Sequence, residues 1–236
     1  MNNSELSPKI ILPKGYLSWT QISCWLSNPN RYIREYFKGG NKLDTKYLRY
    51  GKTIAEIIEE LTYNPELKKD SGWVKKRFNL DIEDERIQLF FENLVVYDIP
   101  EYEIKCDVMG VPVLSYLDSY KVEENLFNEY KTGKIAWTRS KVQKHDQLTF
   151  YATALKWSIG KIPEYCDLLW IETEDGEKKE FSGLHNGNPE KTVNITGRII
   201  SFHRVFDERE IERMENLIFR CAVEISNAYV SYLQDI

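Results

Sequence analysis

Asp118 stands eleven residues before Glu129, which opens the run Glu129-Tyr130-Lys131-Thr132-Gly133. Side chains on a strand alternate between faces. Phe127, Glu129 and Lys131 therefore share one face, while Leu126, Asn128 and Tyr130 take the other. A carboxylate and an ammonium two residues apart then point into the same space. If the Asp118 strand pairs with this one, Asp118 lies beside Glu129, and like charges side by side repel. A divalent cation between them removes the repulsion, and oxygen ligands of this kind suit Mg²⁺ or Mn²⁺. Lys131 could then orient or deprotonate a water and stabilise developing charge. The same residue types on paired strands more often form solvated salt bridges, so the spacing alone is a weak signal.

Placing these groups requires a sheet. Tyr102 to Val108, Val111 to Tyr120 and Leu126 to Tyr130 are short aromatic and β-branched runs separated by Met109-Gly110 and Glu123-Glu124-Asn125. They are predicted to be consecutive antiparallel strands. Upstream, Ser18 to Phe37 has helical spacing interrupted at Asn28-Pro29 and ended by Gly39-Gly40. Ile54, Ile57, Ile58 and Leu61 make the stripe of a helix from Lys46 to Leu61, and Asp84 to Val96 is a further helix. Downstream, one helix is expected from Lys141 to Ser158. Strands are expected at Cys166 to Glu172 and Lys178 to Ser182, turning at Asp175-Gly176, and at Thr192 to Val205. A capping box of Asp207 and Glu210 starts a last helix that runs to about Tyr232. This order predicts an α/β (α+β) fold with a central mixed sheet flanked by helices.

Composition narrows the class. The chain has 236 residues, 42% hydrophobic and 29% charged, and its 12 Gly and 8 Pro are too few for a disordered or fibrous protein. A single domain over residues 1–236, with a core of about 16–233, is the simplest expectation. The formal charge of -5 excludes a globally basic nucleic-acid coat, so polyanion binding needs local patches. No apolar run is long enough to span a bilayer, and Met1 to Lys9 carries no apolar leader core, so a cytoplasmic protein without membrane association is expected. Cys24, Cys106, Cys166 and Cys221 are spread along the chain with no close pair. Reduced, mostly buried thiols are the expectation.

The neighbours of the acid–lysine pair complete a pattern. Gly51-Lys52-Thr53-Ile54-Ala55-Glu56-Ile57-Ile58-Glu59, the Asp118 strand, Glu129-Tyr130-Lys131-Thr132-Gly133 and Gln147-Leu148-Thr149-Phe150-Tyr151-Ala152 follow one another in that order. The chain resembles the RecB-type branch of the PD-(D/E)XK nuclease superfamily, which includes RecB and AddB nuclease domains, CRISPR-associated nucleases and phage exonucleases. The opening segment Leu17-Ser18-Trp19-Thr20-Gln21-Ile22-Ser23-Cys24-Trp25 is also similar. The resemblance implies a restriction-endonuclease-like core. It further implies that Asp118 and Glu129 hold Mg²⁺ or Mn²⁺, with the Tyr130 carbonyl as a further ligand, and that Lys131 is catalytic. Gln147 and Tyr151, one helical turn apart, would support Lys131 and meet the nucleic acid strand. The family histidine falls on Ala55, which cannot ligate a metal, so Glu59 becomes the candidate outer ligand, with Glu56 close by. The family glycine before the aspartate falls on Ser115. The cysteine cluster of iron–sulfur members is missing, so no such cluster is expected.

Charge placement fits a polyanion partner. Lys131, Lys134, Arg139, Lys141 and Lys144 form a stretch without an acid, and Arg31 to Lys52 holds seven basic residues against Glu35 and Asp44. Lys134, Arg139, Lys141 and Lys144 are thus candidate DNA contacts, phosphate binding being their functional reading. The expected activity is metal-dependent DNA hydrolysis, exonucleolytic in type, on single strands or duplex ends in recombination, repair or phage DNA processing. A bacterial or phage-infected cytoplasm would be its setting. A homo-oligomer, or a complex with a helicase or recombinase, would accord with the family. No P-loop is present, so any ATP-driven motor would be a separate protein. The competing reading, favoured by the missing histidine, is a catalytically weak or inactive nucleic-acid-binding subunit on the same fold.

Overall fold

The structure, a computed structural model, describes residues 10–40, 46–78, 82–177 and 191–235. Five strands form one sheet in chain order: β1 (Ile99–Val108), β2 (Val111–Lys121), β3 (Leu126–Gly133), β4 (Tyr165–Glu177) and β5 (Lys191–Val205). Neighbours are antiparallel except β3 and β4, which are parallel. A parallel pair needs a crossover. Here the crossover carries α6 (Arg139–Gln143) and α7 (Asp146–Ile159).

Alternation along the strands divides the core between the two faces. On one, α1 (Trp19–Ser27), α2 (Pro29–Tyr32), α7 and α8 (Glu208–Gln234) bury Ile22, Tyr32, Leu148, Leu155, Met214 and Ile218 with Leu117, Phe127, Leu168 and Trp170. On the other, α3 (Lys46–Tyr63), α4 (Ser71–Phe78) and α5 (Asp84–Asn93) bury Ile54, Ile57, Leu61, Val74 and Phe90 with Ile171 and Ile195. Each fully buried aliphatic side chain of this size contributes about 1.5–3 kcal/mol. The mixed sheet with helices on both faces is the architecture expected from the sequence. Among the described residues, no helix is long and apolar enough to cross a membrane.

The sheet has one gap. β2 pairs with β1 along nearly its whole length, but with β3 only at Ser119–Asn128, Tyr120–Phe127 and Lys121–Leu126. The next pair in that register would be Asp118 with Glu129, and there the strands part. β3 continues beside β4 from Phe127 to Gly133. Farther along the edge of β2 that β3 leaves, Leu17 bridges Val113, donating to the Pro112 carbonyl at 2.8 Å and accepting from Leu114 N at 2.9 Å. The opening segment thus occupies the far end of the gap, and its near end belongs to Asp118 and Glu129.

Several elements differ from expectation, each for a local reason. The helix expected over Lys141 to Ser158 is two helices. Thr138 caps the first, its Oγ1 accepting from Lys141 N at 3.2 Å. The break follows from Arg204, whose Nη1 donates to the carbonyls of Val142 at 3.1 Å and His145 at 2.7 Å, so those groups do not continue one helical ladder. The Asp175-Gly176 turn is also not formed. β4 runs through both residues, which face Val193 and Thr192, and Arg86–Glu174 and Lys134–Asp175 ion pairs flank the extension. A turn-prone dipeptide does not interrupt a long ladder that already fixes its register. The expected strand at Lys178 to Ser182 lies outside the described residues. α5 stops at Asn93 because the next residues bond elsewhere: Val95 O accepts from Asn128 Nδ2 and Tyr130 Oη, and Tyr97 N donates to Ser119 Oγ. α4 has one fully buried apolar residue, Val74, too little to show a period in the sequence.

Arg204 is 1% exposed. Besides the two carbonyls it donates through Nη2 to Thr149 Oγ1 at 2.7 Å and to Glu210 Oε1 at 3.2 Å, tying β5, the crossover and the cap of α8 together. Arg204→Ala removes all four bonds; the Val142 and His145 carbonyls keep their backbone donors, His145 N and Leu148 N, so the loss lies in the four charged hydrogen bonds and the vacated buried space. The expected cost is about 3–5 kcal/mol, read as a lower urea midpoint at unchanged m-value.

Candidate functional site

Asp118 and Glu129 mark the point where β2 and β3 diverge. Tyr130 N donates to Asp118 Oδ2 at 2.7 Å, which holds the carboxylate against the neighbouring strand. Glu129 is 2% exposed; its Oε1 forms an ion pair with Lys131 Nζ, and its Oε2 is buried without a hydrogen-bond partner. Lys131 Nζ donates to Gln147 Oε1 at 2.9 Å, and Gln147 Nε2 donates to Tyr151 Oη at 2.6 Å. A continuous polar chain therefore runs from Glu129 through Lys131 and Gln147 to Tyr151. It joins β3 to the first two turns of α7, where spacing of four residues puts Gln147 and Tyr151 on one helix face.

The electrostatics follow from crowding. Asp118 keeps some accessible surface, yet burial pushes its pKa well above the usual carboxylate range, and the Glu129 charge adds to the rise; Lys131 and the Tyr130 N–H offset only part of it. Burial opposes the Lys131 charge, but Glu129 and Asp118 outweigh it and raise its pKa. Lys131 is therefore a cation in the metal-free site, suited to holding a phosphate or water rather than to acting as a free base. Burial and the two carboxylates also keep the Tyr151 phenol protonated. Burial, with Lys131 and Arg204 nearby, lowers the His145 pKa to about 4, so its ring is neutral at pH 7.

The outer candidates are placed as follows. α3 crosses the sheet face opposite α7, and a Cβ on Gly51 would stand 3.6 Å from Thr132 Oγ1, so the helix passes close over β3. Glu59, two turns on, is half-buried and has no paired cation among the described residues; burial and then the Glu59 charge raise the pKa of Glu101 on β1. Glu56 is exposed and pairs with Lys52 at 3.8 Å, which leaves Glu59 the better placed of the two. The Tyr130 ring points away, its hydroxyl donating to Val95 O at 2.9 Å, so only its backbone lies at the site. Lys134, Arg139, Lys141 and Lys144 are all exposed beyond the end of β3. Lys134 is paired with Asp175, and Lys141 lies over the Trp137 ring at 3.8 Å.

One acid at this place gave no signal in the sequence. Glu101 stands on β1 opposite Asp118, between the pairs Pro100–Ser119 and Tyr102–Leu117, with φ at +48°. Nothing in the run Pro100-Glu101-Tyr102 distinguishes it from a solvated strand glutamate.

A hard divalent cation fits the inner pair. The free Glu129 Oε2 is a buried anionic oxygen without a donor, and Asp118 beside it is held at the cost of like-charge repulsion. Among the described residues no three Asp, Glu, His or Cys side chains converge as a metal-binding group. An ion held here would have two protein carboxylates and would draw the rest of its shell from water or phosphate, a shell that Mg²⁺ can adopt.

No family model and no curated protein matches the sequence. Among solved structures, a candidate exonuclease from Eubacterium rectale shares the fold: the alignment covers 97% of this chain and 88% of that one, at 14% identity and a TM-score of 0.53. A second structure, SSO0001, matches over 87% of this chain and 76% of its own, at 15% identity and a TM-score of 0.32, too low to support a conclusion.

The raised Asp118 pKa has a definite sign. Folding favours its protonated form, so the ionised group costs stability at pH 7, and the cost fades as pH falls through the raised value. Without divalent cations, Asp118→Asn should therefore melt higher than wild type at pH 7, by about 2–4 °C for each kcal/mol recovered. The gap should close towards pH 4. The asparagine Oδ1 can still accept from Tyr130 N. Thermal scans across that pH range in chelator test this directly.

Proposed function

We propose that the chain is a divalent-metal-dependent deoxyribonuclease of the RecB type, acting exonucleolytically. The observation that carries the reading is the meeting of Asp118, Glu129 and Lys131 at the divergence of β2 and β3, with Gln147 holding Lys131 at 2.9 Å. The likeness in fold to the candidate exonuclease supports it independently of those residues.

Asp118 and Glu129 would hold Mg²⁺ or Mn²⁺, with the Tyr130 carbonyl as a further ligand. When bound, the ion polarises the scissile phosphate and lowers the pKa of its water. Lys131 stays protonated, placing a positive charge where the phosphate gains negative charge. Gln147 fixes the ammonium by accepting one of its hydrogen bonds, and Tyr151 fixes Gln147 in turn. The exposed Lys134, Arg139, Lys141 and Lys144 lie just past β3, where a DNA backbone leaving the site would pass. Binding of DNA without cleavage would favour the alternative, an inactive nucleic-acid-binding subunit.

The test is degradation of labelled DNA with Mg²⁺ or Mn²⁺. Wild type should digest from ends, and Lys131→Ala should lose about 10²-fold or more in turnover while still binding DNA. Near-wild-type turnover in the variant would remove Lys131 from the mechanism. Glu59→Gln should weaken activity at low metal, with partial recovery as Mn²⁺ is raised; equal activity at every concentration would leave α3 without a metal role.

A further inference from the structure

Trp170 on β4 is in register with Lys131 on β3, one step from the pair of Thr132 with Ile171 and two from that of Gly133 with Glu172. Residues in register on neighbouring strands point to the same face, so the indole stands beside the Lys131 side chain. Trp170 is 1% exposed, and its Nε1 is buried without a hydrogen-bond partner among the described residues. An indole N–H can only donate. Burying it unpaired costs the full desolvation of that donor, and the proposed mechanism gives it no use. The free Glu129 Oε2 does not satisfy it, because Nε1 sits at the far end of β3. A Cβ on Gly133 would stand 3.6 Å from Nε1 and would meet no other heavy atom within 4 Å among the described residues.

Lys131 supplies a second unused donor. Its ammonium carries three N–H groups. One is held by Glu129 Oε1 and one by Gln147 Oε1 at 2.9 Å, and the third has no acceptor among the described residues. Alternation along β3 puts Gly133 on the same face as Lys131. The space that a side chain at Gly133 would fill therefore lies past the ammonium and against the indole N–H. Two donors, one of them charged, border a place where the chain has put no atom of its own. The acceptors nearby are already engaged: Asp118 Oδ2 by Tyr130 N, Gln147 Oε1 by Lys131 and Tyr151 Oη by Gln147. An anionic oxygen from outside the chain satisfies both donors at once.

We propose that Trp170 Nε1 and the Lys131 ammonium form a phosphate-oxygen site over Gly133, which holds a nucleotide phosphate beside the metal pair. Trp170 is thereby a binding residue for the substrate, not only a core side chain. The ligand class is a phosphate ester, whose anionic oxygens accept from both donors. The inference rests on the nuclease reading of the site and deepens it. It adds β4 to the strands that build the site, and it gives Gly133 a function, since a side chain there would fill the oxygen's place.

Nuclear magnetic resonance of the full chain tests it without turnover. The six Trp residues give six indole N–H signals. That of Trp170 is the one lost in Trp170→Phe, or, should that variant not fold, the one left after each other Trp is replaced in turn. With Mg²⁺ present, thymidine 5′-monophosphate should move this signal downfield to saturation, and inorganic phosphate should move it the same way. Thymidine, which has no phosphate, should leave it in place. Trp170→Phe keeps an aromatic filling but no donor, and should bind the nucleotide about tenfold more weakly. A Trp170 signal that stays in place while nucleotide binds, or that moves equally with thymidine, overturns the proposal. Mg²⁺ alone reads the metal pair separately, through the Tyr130 amide bonded to Asp118. If that amide moves and the Trp170 indole does not, the metal reading stands and the phosphate site is excluded. If the indole moves and the amide does not, the phosphate site stands without the metal pair. If neither moves, both are overturned.

Discussion

Two carboxylates, Asp118 and Glu129, are held together at a place where the sheet itself comes apart. Hydrogen bonding between β2 and β3 lasts three residue pairs and stops at Ser119–Asn128. One step farther, β2 continues beside β1 and β3 beside β4, and the Tyr130 N–H bonds the Asp118 carboxylate in place of the opposite backbone. The local charge remains negative after Lys131 is counted, in surroundings from which water is largely displaced. Much of the nearby architecture acts to hold that unfavourable arrangement in place.

The supports come from both faces. On one, α7 brings Gln147 and Tyr151 to Lys131, so the ammonium is fixed from the helix as well as from Glu129. The start of α7 is in turn set by Arg204, which gathers the end of α6, Thr149 and the Glu210 cap of α8. On the other face, α3 passes close over Thr132 at Gly51 and carries Glu59 towards β1. A Cβ at that position would be in ordinary contact with Thr132 Oγ1, at 3.6 Å. Rigid elements on both sides are what precise positioning of charged groups demands.

Much of this was legible in the sequence, and the exceptions have physical causes. The three antiparallel strands, α3 and the capping box of α8 were readable because their signals are local: alternation, a helical stripe and a cap with its partner three residues on. Strand register also placed Asp118 beside Glu129 and Lys131, and helical spacing placed Gln147 with Tyr151; that the two groups meet at Lys131 was implied by the family resemblance alone. The broken crossover helix was not readable, because Arg204 acts on it from more than fifty residues away. The straight run of β4 through Asp175-Gly176 is a result of ladder pairing that overrides turn propensity. Glu101 was hidden for the same kind of reason: its interest lies in facing Asp118 with a positive φ, and neither property is written in its neighbours.

Whether the divergence of β2 and β3 is a divalent-metal centre is decided by anomalous diffraction from crystals soaked in Mn²⁺. A metal centre there gives a Mn²⁺ peak between the Asp118 carboxylate and Glu129 Oε2, with Lys131 still bonded to Gln147. Full soaking with no peak there, or with Mn²⁺ bound only at surface acids such as Glu56 and Glu60, would contradict it.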